Sequence, residues 1–326
     1  MLKYFSSTEN LLRFLVWIIL GLIVLVDFIS LKALGIKLVI DNDCSFIIKL
    51  IFVFMVSSLF IHKIAKNASN DGFGHFAFGF KTLACFLEFC AQFFLFIGSF
   101  VILSYVAASS SRPLYDSELF AIDKFLGFNW LAYILWVNQY TEINTILKTA
   151  YHSVFQIAFI FVILSFTRNY TRLYSFMLCL ILSVIIVITI SAIFPSTGYY
   201  NFLHINMADY PHLYGTPGYV HVQDLYRMRS HEVSELNLSD LKGIISFPSF
   251  HAAMAVIMAW AFWGRLWIAA PFLLLNAAML AAVPVAGGHY LIDVIAGVFI
   301  ATVVIFFVKY IAGYADVKFV NINNNF

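Results

Sequence analysis

Long, uninterrupted runs of apolar residues recur along the chain and restrict its fold more than any other feature. A helix that crosses a lipid bilayer needs about 20 apolar residues. Such runs predict eight membrane-spanning helices, at residues 11–29, 47–64, 82–107, 146–167, 173–195, 248–267, 269–286 and 289–310. Only 11% of the residues are charged, against about 25% in soluble domains. We therefore predict an all-α, polytopic integral membrane protein that folds as a helical bundle.

Two polar connections, at 108–145 and 196–247, separate these runs. The first begins with charged residues and carries Trp130 and Trp136, which predicts one amphipathic helix at the membrane interface. The second is a hydrophilic, histidine-rich outer loop. These connections suggest an N-terminal hairpin at 1–80, a core at 81–312 and a tail at 313–326.

Basic residues in the short loops indicate the orientation of the chain. Lys3 precedes the first run, and Lys66 and Arg168 follow the second and fourth runs. This pattern predicts that both termini are cytoplasmic and that the long connections face the extracytoplasmic side. No small-residue cleavage site follows the first run, so we expect a retained anchor helix rather than a removed signal peptide.

The charge and the cysteine pattern narrow the possible partners. A formal net charge of +2 gives no reason to expect a nucleic-acid partner. The four cysteines lack the spacing of a metal site, and three of them lie inside apolar runs, so we expect no disulfide framework. The short "DNDC" stretch at 41–44 and the histidine-rich loop also lack metal-ligand patterns. We predict neither a metal nor a cofactor, and the lipid bilayer is the expected environment.

A pair of histidines carries the chemistry that the sequence predicts. His289 and Asp293 are four residues apart, so a helix places them on one face. An aspartate there can accept the Nδ1–H of the imidazole and leave Nε2 free. His251 begins the sixth run and His289 begins the eighth, which puts both at the outer end of the bundle. Ionisable groups at membrane depth mark functional sites.

The stretches around these histidines resemble a known family. "FPSFHA", at 247–252, and "HYLID", at 289–293, are similar to the second and third motifs of the type 2 phosphatidic acid phosphatase superfamily. The stretches "DSELFAIDKFLGFNW" and "SAIFPSTGYY" resemble the inositol phosphorylceramide synthase-like branch in particular. The similarity covers roughly residues 80–310 and implies a six-helix phosphatase-like core.

The resemblance also implies a lipid phosphate substrate and a phosphohistidine mechanism. His289 would be the nucleophile, and Asp293 would orient it. His251 would protonate the leaving oxygen and later deprotonate the acceptor. Ser249 would donate a hydrogen bond to a phosphate oxygen.

This sequence departs from the superfamily's usual motifs at several positions. Phe250 replaces the glycine before the histidine of the second motif, and Val283 replaces the arginine of the third. The lysine and the Arg-Pro pair of the first motif are missing. Another cation must then balance the phosphate charge. Arg229 is the first candidate, followed by Arg227 and Lys242.

Other functions stay open at this stage. Hydrolysis and headgroup transfer differ only in the acceptor. A transporter or flippase could use the His/Asp cluster as a proton relay, although we expect Pro248, Pro271 and Pro284 to lie at helix ends rather than to break helices. A non-catalytic relative that binds lipid phosphates is a third possibility.

Several polar residues also have a simpler structural interpretation. Ser249 alone would be an ordinary helix N-cap. Glu88 is either a functional acid or a partner of Gln92. His152 and Gln156 either line the substrate cavity or form hydrogen bonds between helices.

Overall fold

The apolar runs fold into helices, in a computed structural model that describes residues 6–71, 73–213 and 221–323. Lys3, the 214–220 part of the outer loop and the last three residues of the predicted tail lie outside the described residues. The helices are α1 Ser7–Leu34, α2 Asn42–Asn70, α3 Gly74–Ala108, α4 Asp116–Phe125, α5 Trp130–Gln139, α6 Thr141–Tyr151, α7 Gln156–Phe166, α8 Tyr170–Ile193, α9 Tyr199–Phe202, α10 Val222–Arg229, α11 Phe250–Trp260, α12 Leu266–Ala286 and α13 Leu291–Asn323. Two short parallel strands, β1 (Lys37–Val39) and β2 (Glu235–Asn237), pair with Lys37 opposite Glu235.

The described residues form an all-α membrane bundle, as the sequence predicts. Helices α1, α2, α3, α8, α12 and α13 are long and apolar enough to span a bilayer. The fourth predicted span is α6 and α7 together, which meet at a bend of 43°. Helices α4 and α5 also pass the span criteria as a bent pair, so the described chain has six to eight candidate spans.

The prediction of a full-length sixth span is wrong. Helix α11 has only 11 residues, and the chain turns through residues 261–264 before α12 begins. Most side chains of α11 are buried against other helices. A helix buried inside the bundle is apolar because its surroundings are apolar, as they are for a helix in lipid. The apolar composition around α11 therefore led to a predicted span longer than the helix.

The prediction of one helix in the first polar connection is also wrong, because α4 and α5 are separate helices that meet at 80°. The side chain of Asn129 accepts a hydrogen bond from the Ala132 N–H and so starts α5 afresh. The indole N–H of Trp130 donates to the carbonyl oxygen of Pro284 at 2.8 Å. This bond fastens α5 to the last turn of α12.

The prolines of α12 lie inside the helix, contrary to the prediction that they lie at helix ends. Pro271 is in the second turn of α12 and Pro284 in its last turn. Membrane helices tolerate proline where neighbouring groups satisfy the freed carbonyls. The Pro284 carbonyl lies in the last turn of α12, where carbonyl groups lack donors within the helix, and it accepts from Trp130 instead.

The predicted hairpin and the predicted core share one hydrophobic interior. One face of α1, formed by Leu12, Val16 and Leu20, is fully buried in the same cluster as residues of α8. The predicted boundary at residue 80 falls inside α3. By contrast, α2 packs mainly against α3 and leaves large side chains such as Phe52 exposed, as expected for a helix at the lipid-facing edge.

A buried acid ties this N-terminal part to the rest of the bundle. Glu88 of α3 is 2% exposed, and its partners come from several helices. Near Oε1 lie Arg13 Nε and Trp17 Nε1, each at 2.6 Å, and Gln92 Nε2 at 3.4 Å. Near Oε2 lie His62 Nε2 at 3.2 Å and Tyr174 Oη at 3.1 Å. The expected pairing with Gln92 is therefore the longest contact of a larger network.

Replacing Glu88 tests how much this network stabilises the fold. Removing one partner of a buried ion pair leaves the other uncompensated and costs about 3–5 kcal/mol. We expect Glu88→Ala to lower the free energy of unfolding in detergent by roughly 3 kcal/mol or more. The control is Glu235→Ala, which removes the exposed pair with Lys37 (3.2 Å) and should cost less than about 1 kcal/mol. Equal losses in the two variants would contradict a stabilising role for the network.

Candidate functional site

The two histidine-bearing stretches meet where α11 and α13 begin. The backbone N–H of Ser249 donates to the carbonyl oxygen of Asp293 at 3.1 Å. Gly297, one turn further along α13, allows this approach: a Cβ there would lie 2.3 Å from the Ser249 carbonyl oxygen and 2.9 Å from Ala252 Cβ. The close packing of these two helices therefore brings the second and third motifs together.

His289 lies between an acid and a hydroxyl group. Its Nδ1 atom is 3.1 Å from Asp293 Oδ2, and its Nε2 atom is 3.5 Å from Ser249 Oγ. His289 is 4% exposed and Asp293 is fully buried. Because an ionised carboxylate accepts and cannot donate, this contact fits an imidazole with its proton on Nδ1, and Nε2 is the ring nitrogen nearer to Ser249. The structure thus shows the geometry predicted from the four-residue spacing.

Asp293 holds this loop through its other contacts. Its Oδ2 atom also accepts a hydrogen bond from the Tyr290 N–H at 3.0 Å. The same carboxylate oxygen therefore contacts both the imidazole of His289 and the peptide group that follows it. This double contact fixes the ring relative to its own backbone.

Ser249 is the N-cap of α11, as its simpler interpretation predicted. Its hydroxyl oxygen accepts from the Ala252 N–H at 3.3 Å, which leaves the hydroxyl hydrogen free to donate. Capping and phosphate binding are compatible, because the two roles use different parts of one hydroxyl group. The start of α11 also presents backbone N–H groups without acceptors inside the helix.

His251 follows in the first turn of α11 and is half-buried. Its ring stacks on Tyr151 of α6, with centroids 4.1 Å apart and planes at 16°. Tyr151 was not predictable as part of the site, because an aromatic residue within an apolar run carries no distinguishing signal.

The residues beside His152 form hydrogen bonds between helices. The Gln156 and Asn276 amides bond each other, with N···O distances of 2.8 and 3.2 Å between α7 and α12. Of the two alternatives left open for Gln156, the interhelical one is confirmed. His152 itself is exposed at the bend after α6.

The guanidinium group of the first candidate cation, Arg229, is bound to backbone carbonyl groups. Arg229, at the end of α10, donates to the backbone carbonyl of Ser110 at 2.8 Å and to that of Arg112 at 2.5 Å. Its guanidinium group therefore joins the outer loop to the turn after α3. Its phosphate-binding role stays a prediction.

The other two candidate cations lie in exposed parts of the same outer loop. Arg227 is 4.0 Å from Asp224, and its side chain is 61% exposed. Lys242 is exposed as well, and its backbone N–H donates to the Tyr105 hydroxyl at 3.4 Å. Their roles at a phosphate also stay predictions.

Two buried acids of α4 contact the loop that carries His289, and the sequence analysis assigned them no role. Asp116 is 5% exposed and Asp123 is fully buried. Both lie outside the six long spanning helices. The link between these two acids and the site becomes visible only through their hydrogen-bond partners, which are distant in sequence.

Within residues 6–71, 73–213 and 221–323, no group of three or more His, Cys, Asp or Glu side chains converges as a metal site would require. The four cysteines are free thiols. The absence of a metal or a cofactor from the working enzyme stays a prediction.

The helical bundle and its buried His–Asp pair, beside a capping serine and a second histidine, define a membrane protein with a phosphatase-type site. A family model described as the PAP2 superfamily matches residues 117–307, and the chain belongs to this superfamily. The resemblance seen in the sequence is thus confirmed at the level of the superfamily, which supports a phosphatase-type phosphoesterase activity. The searches of curated proteins and of solved structures gave no match.

Gly287 offers a test of the geometry around His289. A Cβ at this position would lie 2.3 Å from His289 Cδ2 and 2.9 Å from the Val283 carbonyl oxygen. We expect Gly287→Ala to displace the imidazole and to lower phosphoesterase turnover by about 100-fold, since a misplacement near 1 Å can have that effect.

The matched control for this substitution is Gly243→Ala, in the loop before α11. There a Cβ would meet only Phe100 Cε1, at 4.0 Å, so activity should stay near that of the native chain. Turnover of a chromogenic phosphate ester measures both variants. Equal turnover by the two would contradict the importance of the His289 position.

Proposed function

We propose that this protein cleaves or transfers the phosphate-ester headgroup of a lipid through a phosphohistidine formed on His289. The observation that carries this proposal is the position of the His289 imidazole. Its Nδ1 faces Asp293 Oδ2 at 3.1 Å while its Nε2 faces Ser249 Oγ at 3.5 Å, at the start of α11. A nucleophile next to an orienting acid and a hydrogen-bond donor is the arrangement that nucleophilic catalysis needs.

In the first half-reaction, Nε2 of His289 attacks the phosphorus atom. A P–N bond forms, the ester P–O bond breaks, and the leaving oxygen takes a proton from His251. Asp293 stabilises the positive charge that develops on the imidazole, as the acid of a catalytic triad does. His251 suits the acid role because it lies in the first turn of α11, near His289 and two residues after Ser249.

In the second half-reaction, His251 removes a proton from the acceptor, whose oxygen attacks the same phosphorus atom. The P–N bond then breaks and returns His289 to its starting form. Water as the acceptor gives hydrolysis, and a lipid or inositol hydroxyl gives transfer. Val283 in place of the usual arginine, and the resemblance to the inositol phosphorylceramide synthase-like branch, favour transfer.

The phosphate oxygens need donors and positive charge while the bond rearranges. Ser249 supplies its hydroxyl hydrogen, and the N-terminus of α11 supplies backbone N–H groups and the positive end of the helix dipole. Arg229, Arg227 and Lys242 are the proposed cations. Arg229 would reach a phosphate only after releasing the carbonyl groups of Ser110 and Arg112.

A lipid substrate fits the position of the site at the end of a membrane bundle. The acyl chains would stay in the bilayer while the headgroup enters beside His289. The first turn of α11, the start of α13 and the long polar connections lie at one end of the helices. The distribution of basic residues favours the extracytoplasmic side for this end.

The first experiment measures phosphate release from a panel of lipid phosphates in detergent. We expect His289→Ala to lower release by at least about 1,000-fold and Asp293→Asn by about 100-fold or more, because each removes part of one catalytic unit. His231→Asn is the control. This residue is exposed in the outer loop, with φ of 55°, a conformation that asparagine tolerates.

Adding inositol or a lipid alcohol to the same assay separates the alternatives. Headgroup exchange with little phosphate release would favour a transferase. A radioactive phosphate label that is stable in base, labile in acid and missing from His289→Ala would support the phosphohistidine. Equal activity in the native chain and both site variants would remove the catalytic proposal and favour the transporter.

A further inference from the structure

We propose that Asp116 and Asp123 of α4 are positioning residues that hold the 287–292 segment, and with it His289, in line with the phosphate. This inference rests on the proposed function, because it gives these acids their purpose in the same reaction. The two residues are seven apart, which places them on one face of α4, two turns from each other. That face lies against the 196–199 turn and the start of α13.

Asp123 caps α13 from another helix. Its Oδ2 atom accepts from the Leu291 N–H at 2.7 Å, and its Oδ1 atom accepts from the Ile292 N–H at 2.9 Å. The first N–H groups of a helix have no acceptor inside it. An N-cap normally comes from the preceding residue, but here a carboxylate 168 residues away in sequence fills that role for Leu291.

Asp116 holds the side chain next to His289. Its Oδ1 atom accepts from the Tyr290 hydroxyl at 2.9 Å. The same carboxylate accepts from the Thr197 N–H at 2.9 Å and from the Gly198 N–H at 3.0 Å. Asp116 therefore fastens Tyr290 to the 196–199 turn.

The segment is also held on the other side of His289. The Tyr199 N–H donates to the carbonyl oxygen of Gly288 at 2.8 Å, and the Tyr199 hydroxyl donates to Asp123 Oδ2 at 2.9 Å. Contacts thus fix the backbone before His289 and the side chain and backbone after it. The imidazole is the part of this segment that faces Ser249.

The chemistry of these contacts fits positioning better than charge balance. The hydrogen bonds to Asp116 and Asp123 come from backbone N–H groups and hydroxyl groups. Acids whose partners are uncharged donors supply no positive charge that could balance a bound phosphate. A contribution to the reaction must then pass through His289, which they hold in place.

Asp123→Asn tests the proposal with a change of nearly equal size. An amide offers one acceptor oxygen and turns an NH₂ group towards a backbone N–H, so one contact to the start of α13 is lost. We expect kcat to fall by roughly 100-fold while KM changes by less than about three-fold, because Ser249 and α11 stay in place. Amide hydrogen exchange of the 287–293 segment should become faster.

The matched control is Asp41→Asn. Asp41 caps α2 through Oδ1, which accepts from the Cys44 N–H at 2.8 Å, and asparagine caps as well as aspartate. This control should leave kcat and exchange in the 287–293 segment unchanged. An equal fall of kcat in both variants would overturn the positioning role and indicate general loss of stability.

Tyr290→Phe provides a second test that keeps the aromatic packing and removes only the donor to Asp116. We expect kcat to fall by about ten-fold, the effect of one lost hydrogen bond of about 1.4 kcal/mol, with the thermal midpoint preserved. Unchanged kcat in both Asp123→Asn and Tyr290→Phe, in an active native chain, would overturn the positioning proposal alone. A native chain that neither releases nor exchanges phosphate would instead overturn the proposed function on which it rests.

Discussion

Polar groups inside a helical membrane protein must find their partners within the protein, since hydrocarbon offers no hydrogen bonds. This constraint is met at four of the buried acids, Glu88, Asp116, Asp123 and Asp293. Glu88 meets the cation of Arg13 and several uncharged donors, and so joins the first helices to the rest. Asp116 and Asp123 instead collect N–H and O–H groups from segments far apart in sequence, and Asp293 faces an imidazole. Hydrogen bonds to buried carboxyl groups thus support both the bundle and the site.

The fold was predictable where lipid contact determines composition. The long spanning helices appear as apolar runs because both the lipid and the helix interior exclude charge. Helix α11 is shorter than its apolar run suggests, because its side chains face other helices rather than lipid. Between α4 and α5 the apolar pattern is continuous, yet a local cap at Asn129 starts a new helix.

The part of the site that could be predicted consists of residues whose partners are close in sequence. His289 and Asp293 share one helical turn, so their spacing indicated the contact between them, and the common depth of His251 followed from the count of spans. The side-chain partners of Asp123 are 76 or more residues away, Tyr151 stacks on the distant His251, and nothing in the neighbouring sequence marks either residue. Charge alone identified Arg229, yet charge does not specify which acceptor a long side chain reaches.

The residues matched by the family model and the residues that pack together in the structure do not have the same boundaries. The superfamily match begins at residue 117, one position after Asp116. A chain cut to the matched residues would lack the carboxylate that binds Tyr290 and the 196–199 turn. It would also expose the surface of α8 that α1 covers through residues such as Leu12 and Val16. Domain boundaries drawn from sequence similarity would therefore cut through one buried cluster, and the excised piece would lose part of the support for the loop that carries His289.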